Sequence, residues 1–159
     1  IDAHSHFVGT ANAMTQCDLS SCKDFADIVK AMKNFKEKRK LSDDTWIIGS
    51  NYDQNFLREG RHPDKYILNQ ISDTNPVLIV HASSHMAVTN SKGLEIQKID
   101  ENTKDCAGGK YGRIEGTNIP DGYMEEKVFL DFQSKLPMQS VETLISCIQE
   151  AQKMYATEW

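Results

Sequence analysis

The fold is decided by one stretch in the middle of the sequence, Pro76-Val77-Leu78-Ile79-Val80-His81-Ala82. An unbroken run of aliphatic, mostly β-branched side chains that begins at a proline is typical of a parallel strand covered on both faces. His81 and His85 stand at and just beyond the end of this predicted strand. Parallel α/β sheets bind ligands in the loops after the strand C-termini, so both histidines are candidate site residues. For His81, a structural role as a core histidine with satisfied hydrogen bonds is the favoured interpretation.

Two further strands are predicted on the N-terminal side. Residues 45–52 form a short apolar run that ends before Asp53, a carboxylate that is either a turn cap or a site residue. Residues 1–6 read Ile1-Asp2-Ala3-His4-Ser5-His6. In an extended strand His4 and His6 share one face, where two imidazoles can bind one divalent metal such as zinc. A pair of half-exposed strand histidines is the alternative.

Apolar residues at helical spacing predict helices over residues 22–39, 63–71, 86–96 and 141–156. Ser21 is the expected N-cap of the first helix, and Pro63 is the expected first residue of the second. We expect residues 7–19 to form a loop and His62 to be an exposed loop histidine.

Residues 100–120 are polar and rich in glycine, which predicts a β-hairpin or an ordered loop around residues 110–115. The triplet Pro120-Asp121-Gly122 predicts a turn. Elsewhere strands alternate with helices, which indicates an α/β fold with parallel strands. Three such strands cannot close a barrel, which needs eight strand-helix units and about 250 residues. Their exposed sheet edges favour self-association into a homo-oligomer.

The composition argues against several classes of function. A chain of 159 residues has the size of one domain, and a net charge of −5 argues against nucleic acid as the main partner. No apolar stretch is long enough for a membrane span. The four cysteines are too scattered for a disulfide scaffold, so we expect free thiols in a reducing compartment, with the cytoplasm favoured. No signal peptide is visible in a chain that opens in mid-strand without an initiating Met.

Several motifs occur in an order that is similar to that of a known family. They are residues 1–6, Trp46-Ile47-Ile48-Gly49-Ser50-Asn51-Tyr52-Asp53, residues 76–85 with Asn90-Ser91, Gly108-Gly109, and Met124-Glu125-Glu126. Together they resemble the N-terminal half of a metal-dependent amidohydrolase of the group that contains N-substituted formamide deformylases. The resemblance implies a partial (β/α)8 TIM barrel over residues 1–159, with about the first three strand-helix units and an insertion loop at residues 100–120.

The resemblance also implies a metal site with one or two divalent ions, usually zinc. His4 and His6 match the metal ligands on the first strand of the family. Glu126 matches an acid that binds or bridges the metals, and Glu125 is the fallback if the register differs by one residue.

The implied catalytic residues are Glu126, His85 and Asp53. His85 matches a histidine that lines the substrate pocket, Asp53 an acidic residue after the second strand, and Asn90 the Asn of an Asn-Ser pair. The implied reaction is hydrolysis of an amide or related C–N bond in a small-molecule substrate, by water that the metal activates.

The sequence departs from the family pattern in two ways. Asp121 stands where the group usually has Thr, and no histidine follows His85 to match the family's later ligands, which are two histidines and an Asp. We therefore expect a catalytically incomplete piece of the enzyme with little or no hydrolase activity. The alternative is a self-standing α/β ligand-binding module with structural histidines and a ligand loop at residues 105–116.

Overall fold

The computed structural model describes residues 14–137 and 141–157, which form one mixed sheet flanked by helices. The strands are β1 (Cys17–Asp18), β2 (Ile47–Tyr52), β3 (Val77–His81), β4 (Met86–Thr89), β5 (Gly109–Arg113) and β6 (Pro120–Glu126). The helices are α1 (Phe25–Arg39), α2 (Lys65–Asn69), α3 (Ser91–Ile96), α4 (Lys127–Gln133) and α5 (Val141–Thr157). In these ranges no helix has the combination of length and apolar character that crossing a membrane requires. The first predicted strand, residues 1–6, lies outside the described residues.

The sheet has six strands in the order β1-β2-β3-β4-β6-β5. β1, β2 and β3 pair in parallel, whereas β4 is antiparallel to both β3 and β6, and β5 is antiparallel to β6. Two reversals of direction make β6 run the same way as β1, β2 and β3. The C-terminal ends of these four strands therefore lie along one edge of the sheet.

The parallel pairing of β2 with β3 confirms the main prediction from the sequence. Ile47 pairs with Val77, and the side chains of β3 are buried on both faces of the sheet. Val77 packs in the cluster that includes α1, whereas Leu78 packs with Phe129 of α4 on the other face. Coverage on both faces explains why this strand contains no polar residue before His81.

Two helices begin later than predicted because aspartates cap them. The Asp24 side chain accepts a hydrogen bond from the Asp27 backbone N–H, so α1 begins at Phe25 and Ser21 is not its N-cap. Asp64 caps α2 in the same way, so Pro63 precedes the cap and is not the first helical residue.

Residues 86–96 do not form one helix, as the apolar spacing had predicted. β4 occupies the first part because Met86–Thr89 is hydrogen-bonded between β3 and β6. Asn90 then keeps an extended backbone and caps α3 through the Gly93 N–H. The prediction was wrong because pairing on both sides of a short strand outweighs a weak helical pattern.

The turn of the glycine-rich segment lies between Arg113 and Pro120, before the turn predicted at residues 120–122. Ile114 N–H donates to Ile119 O at 2.9 Å and closes a hairpin between β5 and β6, which confirms the hairpin alternative. The predicted turn at residues 120–122 is wrong, because these residues begin β6. The sequence also missed β1, which lies in the expected loop over residues 7–19, and the helix α4.

The α/β class is confirmed as a mixed sheet in which β4 and β5 run against the other strands. The last helix agrees with the prediction for residues 141–156, since α5 is Val141–Thr157.

Candidate active site

The candidate site lies along the edge where β2, β3 and β6 end. Asp53 directly follows β2, His81 is the last residue of β3, and Glu126 is the last residue of β6. His85 directly precedes β4 and reaches the same edge, because β4 runs in the opposite direction. The predicted residues Asp53, His85 and Glu126 therefore share one edge of the sheet. His4 and His6 lie outside the described residues.

His85 and Glu126 are 41 positions apart in the sequence and touch each other twice. His85 Nδ1 lies 3.0 Å from Glu126 Oε2, and the Glu126 backbone N–H donates to His85 O at 2.7 Å. Both side chains are exposed, at 64% and 57% of their surface. The pair thus presents an imidazole and a carboxylate to the solvent beside each other.

The Glu126 backbone adopts an unusual conformation, with φ 54° and ψ −128°. A residue other than glycine pays about 1–3 kcal/mol for such a positive-φ conformation. The strain sits at the junction of β6 and α4, where the carboxylate turns towards His85. Strain at a polar strand end is typical of functional positions.

Glu125, the fallback for Glu126, is engaged elsewhere. The Tyr123 hydroxyl donates to Glu125 Oε2 at 2.7 Å, and Lys110 Nζ lies 3.2 Å from Glu125 Oε1. Burial and the Glu125 carboxylate raise the pKa of the Tyr123 hydroxyl, which therefore stays protonated and donates to Glu125. Glu126 is thus the acid of this pair that meets His85.

Asp53 is held in place at the end of β2 by its own turn. The backbone N–H and side-chain amide of Asn55 both donate to Asp53 Oδ1 at 2.9 Å. The backbone hydrogen bond from Asn55, its side-chain amide and nearby His81 lower the pKa of the Asp53 carboxyl, although partial desolvation opposes them. Asp53 is therefore ionised at neutral pH and can accept hydrogen bonds.

His81 only partly matches the predicted core histidine with satisfied hydrogen bonds. Its ring is buried, at 7% exposure, and Nδ1 accepts from the Ser83 backbone N–H at 3.0 Å. Its Nε2 is buried without a hydrogen-bond partner among the described residues and lies 3.7 Å from Asp53 Oδ1. Half of the ring is thus satisfied, and the other half faces the candidate site residue Asp53.

His62 is half-buried against aromatic side chains, and the prediction of an exposed loop histidine was wrong. The Tyr52 hydroxyl lies 3.0 Å from His62 Nδ1, and the Tyr123 ring centroid is 4.7 Å away. Burial, followed by the neighbouring His81, lowers the pKa of His62. Burial also raises the pKa of the Tyr52 hydroxyl. No pattern in the sequence indicated this cluster beyond the position of Tyr52 at the end of β2.

Asn90 has a structural position in the described fold. It is fully buried, and its side chain bonds backbone groups of β3, α3 and the loop before β3. The amide therefore ties the start of β3 to the start of α3, at the edge opposite to the candidate site.

The glycine-rich segment at residues 105–116 folds into β5 and its turn. Asp105 Oδ1 accepts from the Tyr111 backbone N–H at 3.1 Å and pairs with Arg113 at 3.1 Å. These contacts use the polar groups that a ligand loop would offer, so the alternative of a ligand-binding module is not favoured.

The described residues do not form a metal site by themselves. Within residues 14–137 and 141–157, no group of three or more His, Cys, Asp or Glu side chains could hold a metal ion. Glu126 and His85 have the donor atoms that zinc prefers, a carboxylate oxygen and an imidazole nitrogen. They fit a metal only as part of a larger ligand set.

Comparison with known proteins identifies relatives among hydrolases. The chain is 29% identical over 127 residues to the amidohydrolase-type protein YtcJ of Bacillus subtilis (strain 168). This match covers 80% of the chain and 23% of YtcJ. The chain is also 29% identical over 114 residues to the N-substituted formamide deformylase of Arthrobacter pascens. This match covers 71% of the chain and 21% of that enzyme. The chain thus spans between a fifth and a quarter of the length of these relatives.

A solved structure shares the fold. The crystal structure of an uncharacterized metal-dependent hydrolase from Pyrococcus furiosus superposes with a TM-score of 0.65 at 23% sequence identity. The match covers 99% of this chain and 29% of that one. The sequence profile that describes the amidohydrolase family matches residues 1–157. A match over nearly the full length shows that this chain belongs to the amidohydrolase family.

Proposed function

We propose that this chain is part of a metal-dependent hydrolase that acts on amide or other C–N bonds of small molecules. The family assignment supports the reaction class, and the name of the Arthrobacter pascens relative supports an amide-type substrate. The structural neighbour is described as a metal-dependent hydrolase. In this proposal β1, β2, β3 and β6 contribute to a partial (β/α)8 barrel whose site lies at the strand C-termini.

The proposed metal ligands are His4, His6 and Glu126, and the proposed metal is zinc. Two imidazoles and one carboxylate form a ligand set that occurs in catalytic zinc sites. When bound, such a metal lowers the pKa of a coordinated water and polarises a carbonyl group. The contact between His85 and Glu126 is the observation that carries the proposal, because it holds the acid at the edge of the sheet where the family places its site.

The other proposed site residues act directly on the carboxylate or on the substrate. His85 lines the substrate pocket and, through its contact with Glu126, keeps this carboxylate at the strand ends. Asp53 is ionised and accepts a hydrogen bond from an N–H or O–H group of the substrate.

Glu126→Gln is expected to weaken zinc binding to the chain at least about tenfold, because it replaces a charged ligand by a neutral amide. Isothermal titration calorimetry with zinc chloride measures this change. Glu115→Gln is the matched control, since Glu115 is an exposed acid in the hairpin turn and its loss should leave the affinity unchanged. An unchanged affinity after combined substitution of His4 and His6 by Ala would exclude the proposed ligand set.

The chain of 159 residues, loaded with zinc, is expected to show little or no turnover of amides when assayed alone. The reason is that the family's later ligands have no counterpart among these residues, since no histidine follows His85. Release of amine from N-substituted formamides, followed by a fluorescent amine reagent, is a suitable assay. Sustained turnover that disappears in Glu126→Gln would show that the ligands present suffice.

Two proposals concern the surroundings of the protein. All four cysteines are free thiols, from which we infer a reducing compartment such as the cytoplasm. Self-association through sheet edges is proposed because β1 and β5 are the outer strands of the described sheet, but Asp105 already accepts from the Tyr111 N–H of β5. This bond weakens the case for the β5 edge.

A further inference from the structure

The buried ring of His81 has one nitrogen whose state the surrounding backbone determines. The Ser83 backbone N–H donates to Nδ1 at 3.0 Å, and the Ser83 hydroxyl lies 2.9 Å from the same nitrogen. A backbone N–H can only donate, so Nδ1 must be the unprotonated nitrogen of the ring. The proton of neutral His81 therefore resides on Nε2.

The protonated Nε2 is the buried group that lacks a partner. It has no hydrogen-bond acceptor within the part of the chain that the structure describes, and the nearest carboxylate oxygen recorded is Asp53 Oδ1 at 3.7 Å. A hydrogen bond of ordinary length would need the two atoms to approach by about 0.8 Å. Buried donors are normally paired, and Asp53 Oδ1 is the nearest carboxylate oxygen recorded for this N–H.

We propose that His81 is a positioning residue, a neutral Nε2–H donor that holds the Asp53 carboxylate in a fixed orientation at the end of β2. Asp53 Oδ1 is thereby shared between His81 and Asn55, whereas Oδ2 has no hydrogen-bond partner among the described residues. Oδ2 is the oxygen that remains for a donor on the substrate. The positioning role rests on the proposed function, in which Asp53 contacts substrate. The contact between His81 and Asp53 does not depend on that function.

The ring of His81 packs against two other rings. Its ring centroid lies 5.3 Å from that of Tyr52 and 5.8 Å from that of His62, both at steep angles. Tyr52 and His62 are bonded to each other, and burial works against a charge on either of them. Asp53 is the charged group recorded near the His81 ring.

NMR spectroscopy of the complete chain tests the proposal without any assay of activity. In wild-type protein at neutral pH, the nitrogen-15 spectrum should show His81 Nδ1 as an unprotonated and Nε2 as a protonated ring nitrogen. Ser83→Ala is the control, because it removes the hydroxyl and keeps the backbone N–H, so the tautomer should not change. A protonated Nδ1 in the wild-type protein would overturn the proposal, even if every variant failed to fold.

The carbon-13 titration of the Asp53 carboxyl tests the contact. His81→Phe should raise the pKa of Asp53 towards its ordinary value, whereas His81→Gln retains an amide N–H donor and should keep the pKa low. An equal pKa in wild type and both variants would show that His81 does not act on Asp53. Zinc calorimetry on the same samples separates the two proposals, since failure of zinc binding would refute the metal site and leave the NMR result intact.

Discussion

Asn90→Ala is expected to lower the free energy of unfolding by about 4 kcal/mol, because one buried amide serves four backbone groups. Oδ1 accepts from the N–H groups of Val77 and Gly93, at 3.0 and 2.9 Å. Nδ2 donates to the carbonyl groups of Ser72 and Asn75, at 3.2 and 2.9 Å. Alanine would leave all four groups unpaired at a position with no solvent exposure.

Urea unfolding followed by circular dichroism measures the loss, and the slope of the transition shows whether both variants unfold in the same way. Asn34→Ala is the matched control, because Asn34 is exposed on α1 and the change should stay within about 0.5 kcal/mol. A loss below about 1 kcal/mol for Asn90→Ala would mean that water replaces the amide, and the structural role of Asn90 would be wrong.

Gly122→Ala is expected to destabilise the protein by about 3 kcal/mol or more, because the backbone has a positive φ and a side chain would clash with neighbouring atoms. Gly122 has φ +100° within β6, a conformation that L-residues rarely adopt. A Cβ atom there would lie 2.3 Å from Thr89 O and 3.1 Å from Lys65 N, both of which are backbone atoms. Neither atom can move unless β4 or α2 moves as well.

Gly116→Ala separates the two causes. Gly116 also has a positive φ, +73°, but a Cβ atom there would meet nothing within 4 Å. Gly116→Ala should lower the free energy of unfolding by only about 1 kcal/mol, which is the cost of the backbone conformation. Thermal or urea unfolding of both variants provides the comparison. If Gly122→Ala and Gly116→Ala lowered the free energy of unfolding equally, the close approach of β6 to β4 and α2 would have no energetic effect.

The central part of the fold could be predicted because its signals are local and strong. The apolar runs of β2 and β3 are long enough to identify buried strands, and the rule for strand C-termini indicated the end of β3, where His81 and His85 lie. Glu126 was named only by the family resemblance, because the strand that ends at this residue was not predicted. This rule needs only the direction of each strand, not the identity of its neighbours.

The errors arise where pairing between distant segments outweighs local preference. Met86–Thr89 became a strand because β3 and β6 lie on its two sides. Pro120 begins β6 and not a turn, because it pairs with Arg113 of β5. The cluster of Tyr52 and His62 could not be predicted, because their contact depends on how the loop before α2 returns to the sheet.

Glu126 shows where the requirements of chemistry and of folding conflict. Glycine would adopt the backbone conformation of Glu126 without strain. The single substitution Glu126→Gly is therefore expected to make the chain more stable. That substitution would delete the carboxylate that meets His85. A protein engineer who selected only for heat resistance would therefore be led to remove the acid on which the proposed metal site depends.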